Sequence, residues 1–301
     1  MKFPDMTDPP TQQRTTWFLL AVVMLFHVVA TAQERPAYTI FSSKGKNIGY
    51  SSMFKDLARS EVIFFGELHN NPIAHWLELE VAKSLHQNNP KLVVAMEMFE
   101  ADDQIILDEY MSGTIEEKHL LSEAKIWDNY KTDYKPLVDF AKSNGLKVIA
   151  SNIPRRYANL VYRKGITALD SLAAEAKAWI SPLPIQVDLE LSGYKNITTL
   201  MHGHGSGSTE NLIMSQAIKD ATMAHFIVNN KTIDNVIFHI NGAYHSQDGE
   251  GILWYIHRLS PETRMTAIHV AEQTEIDKLD SQNIGKADFI ICIPENMTKT
   301  F

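Results

Sequence analysis

The stretch Val62-Ile63-Phe64-Phe65-Gly66-Glu67-Leu68-His69-Asn70-Asn71-Pro72 decides how this chain folds. Its first four residues are β-branched or aromatic, the composition of a buried strand. The run breaks at Gly66 and then presents a carboxylate and an imidazole two residues apart. Asn71 before Pro72 marks a helix start, with Asn as N-cap and Pro at the first helical position. Glu67 and His69 therefore fall in a strand-to-helix turn at the carboxyl end of a strand, where open α/β sheets hold their ligands. The partial positive charge of the helix N-terminus favours a neutral His69 with a lone pair to donate. An isolated Glu-x-His also occurs in turns that simply face water, so the motif needs support from elsewhere in the chain.

Upstream, Tyr38 to Phe41 and Asn47 to Tyr50 flank Lys44-Gly45-Lys46 and read as a small hairpin. Ser51 or Ser52 is the expected cap of a helix through Phe54 and Leu57. Downstream, a helix is expected from Pro72 to about His86. Its apolar stripe is Ile73, Trp76, Leu77, Val81 and Leu85, with Trp76 read as core. Leu92 to Phe99 is a second buried strand, and it carries Glu97, a group that burial penalises unless it is paired.

From Asp102 to Asn144 the pattern turns helical with no strand between, which predicts a small all-helical subdomain inserted at 102–144. Trp127, Tyr130 and Tyr134 sit close together within it. Lys147 to Asn152 is a third strand, closed by Ile153-Pro154-Arg155-Arg156-Tyr157. Arginine there suits recognition of carboxylates or propionates through its planar fork. A helix from Ala173 to Ile180 and a linker at Ser181 to Pro184 follow. The glycine-rich loop Met201 to Ser208 holds His202 and His204, a pair able to chelate a metal or simply to be solvated.

The helix from about Glu210 to Asn229 places Asp220 on or beside the apolar face of Met223 and Ile227. Asn235 to Gly242 is a fourth strand ending in Ala243-Tyr244-His245, so glycine with histidine three residues on repeats the opening stretch. Another helix begins at Gly251, and strands at 265–270 and 288–293 complete the series. The fold class is α/β: a mostly parallel central sheet flanked by helices.

Of 301 residues, 45% are hydrophobic and 21% charged, an ordinary globular composition. A net charge of −8 without any basic stripe argues against nucleic-acid partners. The apolar run Trp17 to Ala30, preceded by Lys2 and Arg14 and followed by Ala30-Thr31-Ala32, reads as a secretory signal peptide over residues 1–32, with an uncleaved anchor as the alternative. The domain proper is then 33–301. Cys292 is the one cysteine, so no intramolecular disulfide forms and no lipid-acceptor cysteine follows the leader. Export to the periplasm or cell envelope is the expectation.

Four strand ends thus contribute Glu67 with His69, Glu97, Asn152 with Arg155, and His245. In a parallel sheet they gather along one rim. Glu67, His69, Glu97 and His245 form a plausible divalent metal set for zinc, manganese or iron, or a general acid–base set.

The motifs together resemble the ChaN-like family. They are Gly66-Glu67-Leu68-His69 with Asn71-Pro72; Met96-Glu97-Met98-Phe99-Glu100; Trp127 followed by Tyr130, Tyr134 and Pro136; Ala150 to Arg155; Gln216 to Ala224; and Gly242 to His245. The likeness runs in order from about Glu61 to Pro261. These are bacterial haem-binding proteins linked to iron uptake, in a superfamily that also holds the Tiki metalloproteases and erythromycin-esterase relatives.

The resemblance implies a parallel α/β domain with a small helical domain, haem held between the subunits of a homodimer, and a tyrosine ligand to iron. Tyr130, Tyr134 and Tyr157 are the candidates, with Arg155 beside the cofactor and an outer-membrane uptake receptor as a further partner. Two features depart from the family pattern: the missing lipid-acceptor cysteine and the His202–His204 loop. The alternative function is a metal-dependent hydrolase or peptidase of the Tiki type, using the Glu/His rim.

Overall fold

The computed structural model describes residues 36–200 and 208–301. The expected leader and the His202–His204 pair lie outside those residues. The elements run β1 (Thr39–Ser42), β2 (Asn47–Ile48), α1 (Tyr50–Leu57), β3 (Val62–Glu67), α2 (Pro72–Asn88) and β4 (Leu92–Glu100). Then come α3 (Gln104–Met111), α4 (Glu117–Glu123), a π-helical turn (Tyr130–Tyr134), α5 (Lys135–Ser143) and β5 (Lys147–Asn152). The remainder is α6 (Arg155–Lys164), α7 (Ala174–Lys177), α8 (Ser192–Leu200), α9 (Thr209–Asn230), β6 (Val236–Gly242), α10 (Ile252–Leu259), β7 (Met265–Gln273) and β8 (Phe289–Pro294).

One eight-stranded sheet runs in the order β2-β1-β8-β7-β3-β6-β4-β5. From β8 to β5 every pairing is parallel, and the β1–β2 hairpin adds antiparallel to β8 at one edge. The sheet is therefore mostly parallel, with its hydrophobic strands covered on both faces. Ile63 and Phe65 face one layer of core with α2 and α5, while Val62 and Phe64 face the other with α9 and α10. Each such side chain, fully buried, stabilises the fold by about 1.5–3 kcal/mol.

Strand β3 lies between β6 and β7, and β6 is inserted between β3 and β4, so the chain reverses its direction of travel across the sheet beside β3. Glu67 sits level with Gly242 across the β3–β6 ladder. In β4 the register against β5 shifts between Met96 and Glu100, where Glu100 meets Asn152. Residues three apart on a regular strand point to opposite faces. The irregularity re-aims the strand end so that Glu97 and Glu100 both reach the same cavity.

Helix α2 starts as its sequence indicates: Asn71 Oδ1 accepts from the amides of Ile73 and Ala74 at 3.1 and 3.2 Å. Two local expectations fail. The cap of α1 is Gly49, not Ser51 or Ser52. Trp76 is not core but 48% exposed, packing at a tilt against Tyr38. The buried stripe of α2 is rotated from the expected one and contains two ionisable residues, His75 and Glu78.

Candidate functional site

A cavity of about 880 Å³ opens at the carboxyl ends of β3, β6, β4 and β5, within the range of about 300–1,000 Å³ usual for small-molecule sites. Glu67, His69, Glu97, Asn152, Arg155 and His245 all line it, so the sheet does bring the four strand ends together.

The β3 corner is built around Glu67, whose side chain is buried. Its Oε1 lies 2.6 Å from His69 Nδ1 and accepts a hydrogen bond of 2.8 Å from the Tyr134 hydroxyl. Burial alone would push the Glu67 carboxyl up, but the hydrogen bond from His69 and the nearby charge of His75 bring it down to about 2. The His69 ring is 36% exposed and meets Trp127 edge-on at 5.0 Å. Burial opposes its charge, yet the bond to Glu67 and the charges of Glu67 and Glu97 outweigh this and raise its pKa. The carboxylates thus outweigh the helix dipole in setting the direction of the His69 shift. A terminal dipole is worth about 0.3–1 kcal/mol, less than contact with a buried carboxylate.

The β6 corner uses the same glycine-to-histidine spacing with different supports. Asp220, fully buried on α9, places Oδ1 2.5 Å from His245 Nδ1 and accepts from the Tyr194 hydroxyl at 2.9 Å. On the other side of the ring, His245 Nε2 lies 3.4 Å from Glu97 Oε1. Burial disfavours the imidazolium, but Glu97 and Asp220 overcome it and hold the His245 pKa at about 10. Glu97 is lowered in return: burial raises it, while His245, His69 and the Gly242 amide, 2.8 Å from Oε2, prevail. Gly242 joins the corners. A Cβ there would stand 2.7 Å from His69 Nε2, so only glycine lets that ring lie across β6.

At the end of β5, Asn152 Oδ1 is buried with no hydrogen-bond partner among the described residues, and Arg155 pairs through Nε with Glu100. Lys219 of α9 also lines the cavity and makes no ion pair among the described residues.

The three tyrosine candidates do not line this cavity. Tyr130 is buried in the main core with its hydroxyl unpartnered, edge-on to Phe99. Tyr134 is buried and committed to Glu67. Tyr157 lies under the Arg156 guanidinium, 4.4 Å from its ring centre. The apolar faces of the helical insert turn Tyr130 and Tyr134 inward, while Tyr157 packs, partly buried, between Arg156 and the apolar residues around α6. The tyrosine that does line the cavity is Tyr244, which the sequence reading passed over. Burial and the charges of Asp220 and Glu250 push its hydroxyl well above the usual range.

Sequence reasoning also missed His75 and Glu78. The available signal was their three-residue spacing on the face shared by Ala74, Leu77 and Val81. Among the described residues, two groups of three place one donor atom each within 4.8 Å of the others: Glu67–His75–Glu78 and Glu100–Asp102–Asp103. Glu67, His69, Glu97 and His245 do not close into such a set.

A family model described as haem-binding uptake, Tiki superfamily, ChaN, matches residues 53–256, which span both corners and the helical segments between β4 and β5. The chain belongs to this ChaN family.

Similarity extends to a solved structure of ChaN of Campylobacter jejuni, described as binding haem cofacially. It shares 19% identity and a TM-score of 0.63 over 86% of this chain and 98% of that one. At that identity the two ChaN chains share the fold. A mutant erythromycin esterase, EreC, in its open conformation matches at 10% identity and a TM-score of 0.49 over 86% of this chain and 98% of that one. In sequence, the chain is 27% identical over 137 residues to Protein RETICULATA-RELATED 5, chloroplastic, of Arabidopsis thaliana. That match covers 43% of this chain and only 18% of the plant protein.

Proposed function

We propose that this ChaN-family protein is an exported haem carrier serving iron uptake at the cell envelope, and that it takes haem into the cavity at the β3–β6–β4 rim. The observation that carries this reading is the cavity itself. It sets the partly exposed His69 imidazole beside the Trp127 ring, with Arg155 and Lys219 on the same lining. An imidazole suits iron, an aromatic wall suits a flat macrocycle, and cations suit its propionates. Bound haem would supply the iron; the chain's part is to orient His69 through Glu67 and to neutralise the carboxylates. The proposal includes the leader at 1–32, a homodimer closing around the cofactor, and an outer-membrane receptor as the source of haem.

Titration with haemin tests it. The purified protein should give a saturable Soret band, and Arg155→Glu with Lys219→Glu should weaken binding at least about tenfold by reversing two charges. Haemin absorbance that rises without saturating contradicts the proposal.

A second reading, a metal-dependent hydrolase or peptidase of the Tiki type, is favoured by one feature. Each rim histidine has its Nδ1 held by a carboxylate, the arrangement that orients ligand or base imidazoles. It requires a stoichiometric metal that is released by Glu97→Gln.

A further inference from the structure

Behind the rim, on the side of Glu67 away from the cavity, four buried polar atoms have no hydrogen-bond partner among the described residues: Glu67 Oε2, His75 Nδ1 and both carboxylate oxygens of Glu78. Glu67 and Glu78 are essentially inaccessible and His75 is 6% exposed. His75 Nδ1 lies 2.9 Å from Glu67 Oε2 and 3.6 Å from Glu78 Oε2, though not aligned for hydrogen bonding with either.

We infer that Glu67, His75 and Glu78 form a binding site for one divalent first-row metal ion, of the zinc, manganese or iron class, buried between β3 and α2. The geometry suits it: donors around a tetrahedral zinc with bonds of about 2.0 Å stand about 3.3 Å apart, and the observed separations straddle that distance. Charge suits it too, because two carboxylates and a neutral imidazole around a dication leave no net charge in the interior. The imidazole selects against calcium and magnesium, which take oxygen ligands.

His75 is also held as a ligand is held. Its Nε2 lies 3.2 Å from the His69 carbonyl oxygen and 3.4 Å from Asp133 Oδ2, so Nε2–H donates outward and the Nδ1 lone pair is turned on the two carboxylates. A lone pair facing two anions is repulsive unless a cation stands between them. Without a metal, a proton must fill that role. A surface cavity of about 330 Å³ lined by His75, Trp76 and Asp133 lies on the Nε2 side of the ring.

The other acidic triad is no such site. Lys125 lies 3.1 Å from Asp102 and 3.0 Å from Asp103, Arg155 pairs with Glu100 and Arg156 with Asp102, so that group already has its cations.

The inference is independent of haem binding, and zinc alone tests it. Chelator-stripped full-length protein should take up one zinc per chain. The Glu78→Gln variant should bind at least about tenfold more weakly, a loss typical even of removing an outer-shell partner. The rim variant His245→Gln should retain the ion. Glu78→Gln removes a buried charge without changing shape; should it still fail to fold, anomalous diffraction from zinc-loaded wild-type crystals decides the matter. A peak within bonding distance of Glu67, His75 and Glu78 supports the site. A peak only between His69, Glu97 and His245, or no bound zinc, overturns it.

Discussion

Two corners of the same rim carry the same spacing, Gly66-x-x-His69 and Gly242-x-x-His245, yet they are supported differently. At the first, the orienting carboxylate comes from the turn itself and the ring is 36% exposed. At the second, it is imported from α9, 25 residues away, and the ring is only 8% exposed. A self-sufficient turn can afford to leave its histidine facing the cavity, whereas a buried imidazolium has to be clamped between two carboxylates. On the proposed reading the β3 corner serves the ligand and the β6 corner holds the rim together.

The sharpest way to break that contrast is to remove the clamp. Asp220→Ala leaves the His245 imidazolium and the Tyr194 hydroxyl buried without their partner, and loss of one member of a buried pair costs about 3–5 kcal/mol. Urea unfolding should show a loss of that order, and a much smaller one for His69→Ala. Equal losses would erase the distinction.

The two glycines sharpen it next. A Cβ on Gly66 would meet the Ala243 Cα at 3.0 Å and the Ile268 carbonyl oxygen at 3.1 Å, both backbone. Gly66→Ala should therefore destabilise by about 1–3 kcal/mol, as overpacking does. On Gly242 the obstacle is the His69 ring, a side chain that can swing toward solvent. Gly242→Ala should cost less stability and more ligand affinity, as read from paired melting and haemin titrations.

The corners also differ in their response to pH. The His245 pKa is about 10 folded against 6.5 unfolded, so its stabilisation is complete below about pH 6.5 and is lost as pH rises through about 10. The raised pKa of His69 acts in the same direction. Unfolding midpoints measured from about pH 6 to about pH 10 should fall in wild type and fall less steeply in His245→Gln.

What was legible in the sequence follows from locality. The strand-to-helix turn at Glu67–Pro72, its Asn71 cap and the alternation that makes a parallel sheet are each written in a few neighbouring residues, and the structure contains them. The convergence of Glu67, Glu97, Asn152 and His245 was also readable, since parallel strands must end along one edge. Asp220 was visible as an anomaly on an apolar face, but its partner was not, because only the docking of α9 brings it to His245. The bulge in β4 escaped notice because register depends on the neighbouring strand. His75 and Glu78 escaped because the stripe of α2 was drawn through Trp76, a large apolar residue that the fold leaves outside. The orientation of Tyr130 and Tyr134 was not legible either, because packing sets the direction in which they point.

The most direct test of the division between the corners is a haemin titration followed at the Soret band for wild type, His69→Ala and Tyr157→Phe. With His69 facing the cavity and Tyr157 outside it, His69→Ala should shift the band and weaken binding at least about tenfold, a change of about 1.4 kcal/mol or more, while Tyr157→Phe matches wild type. An unaltered band in His69→Ala, or one lost in Tyr157→Phe, would contradict the assignment of the ligand to the β3 corner.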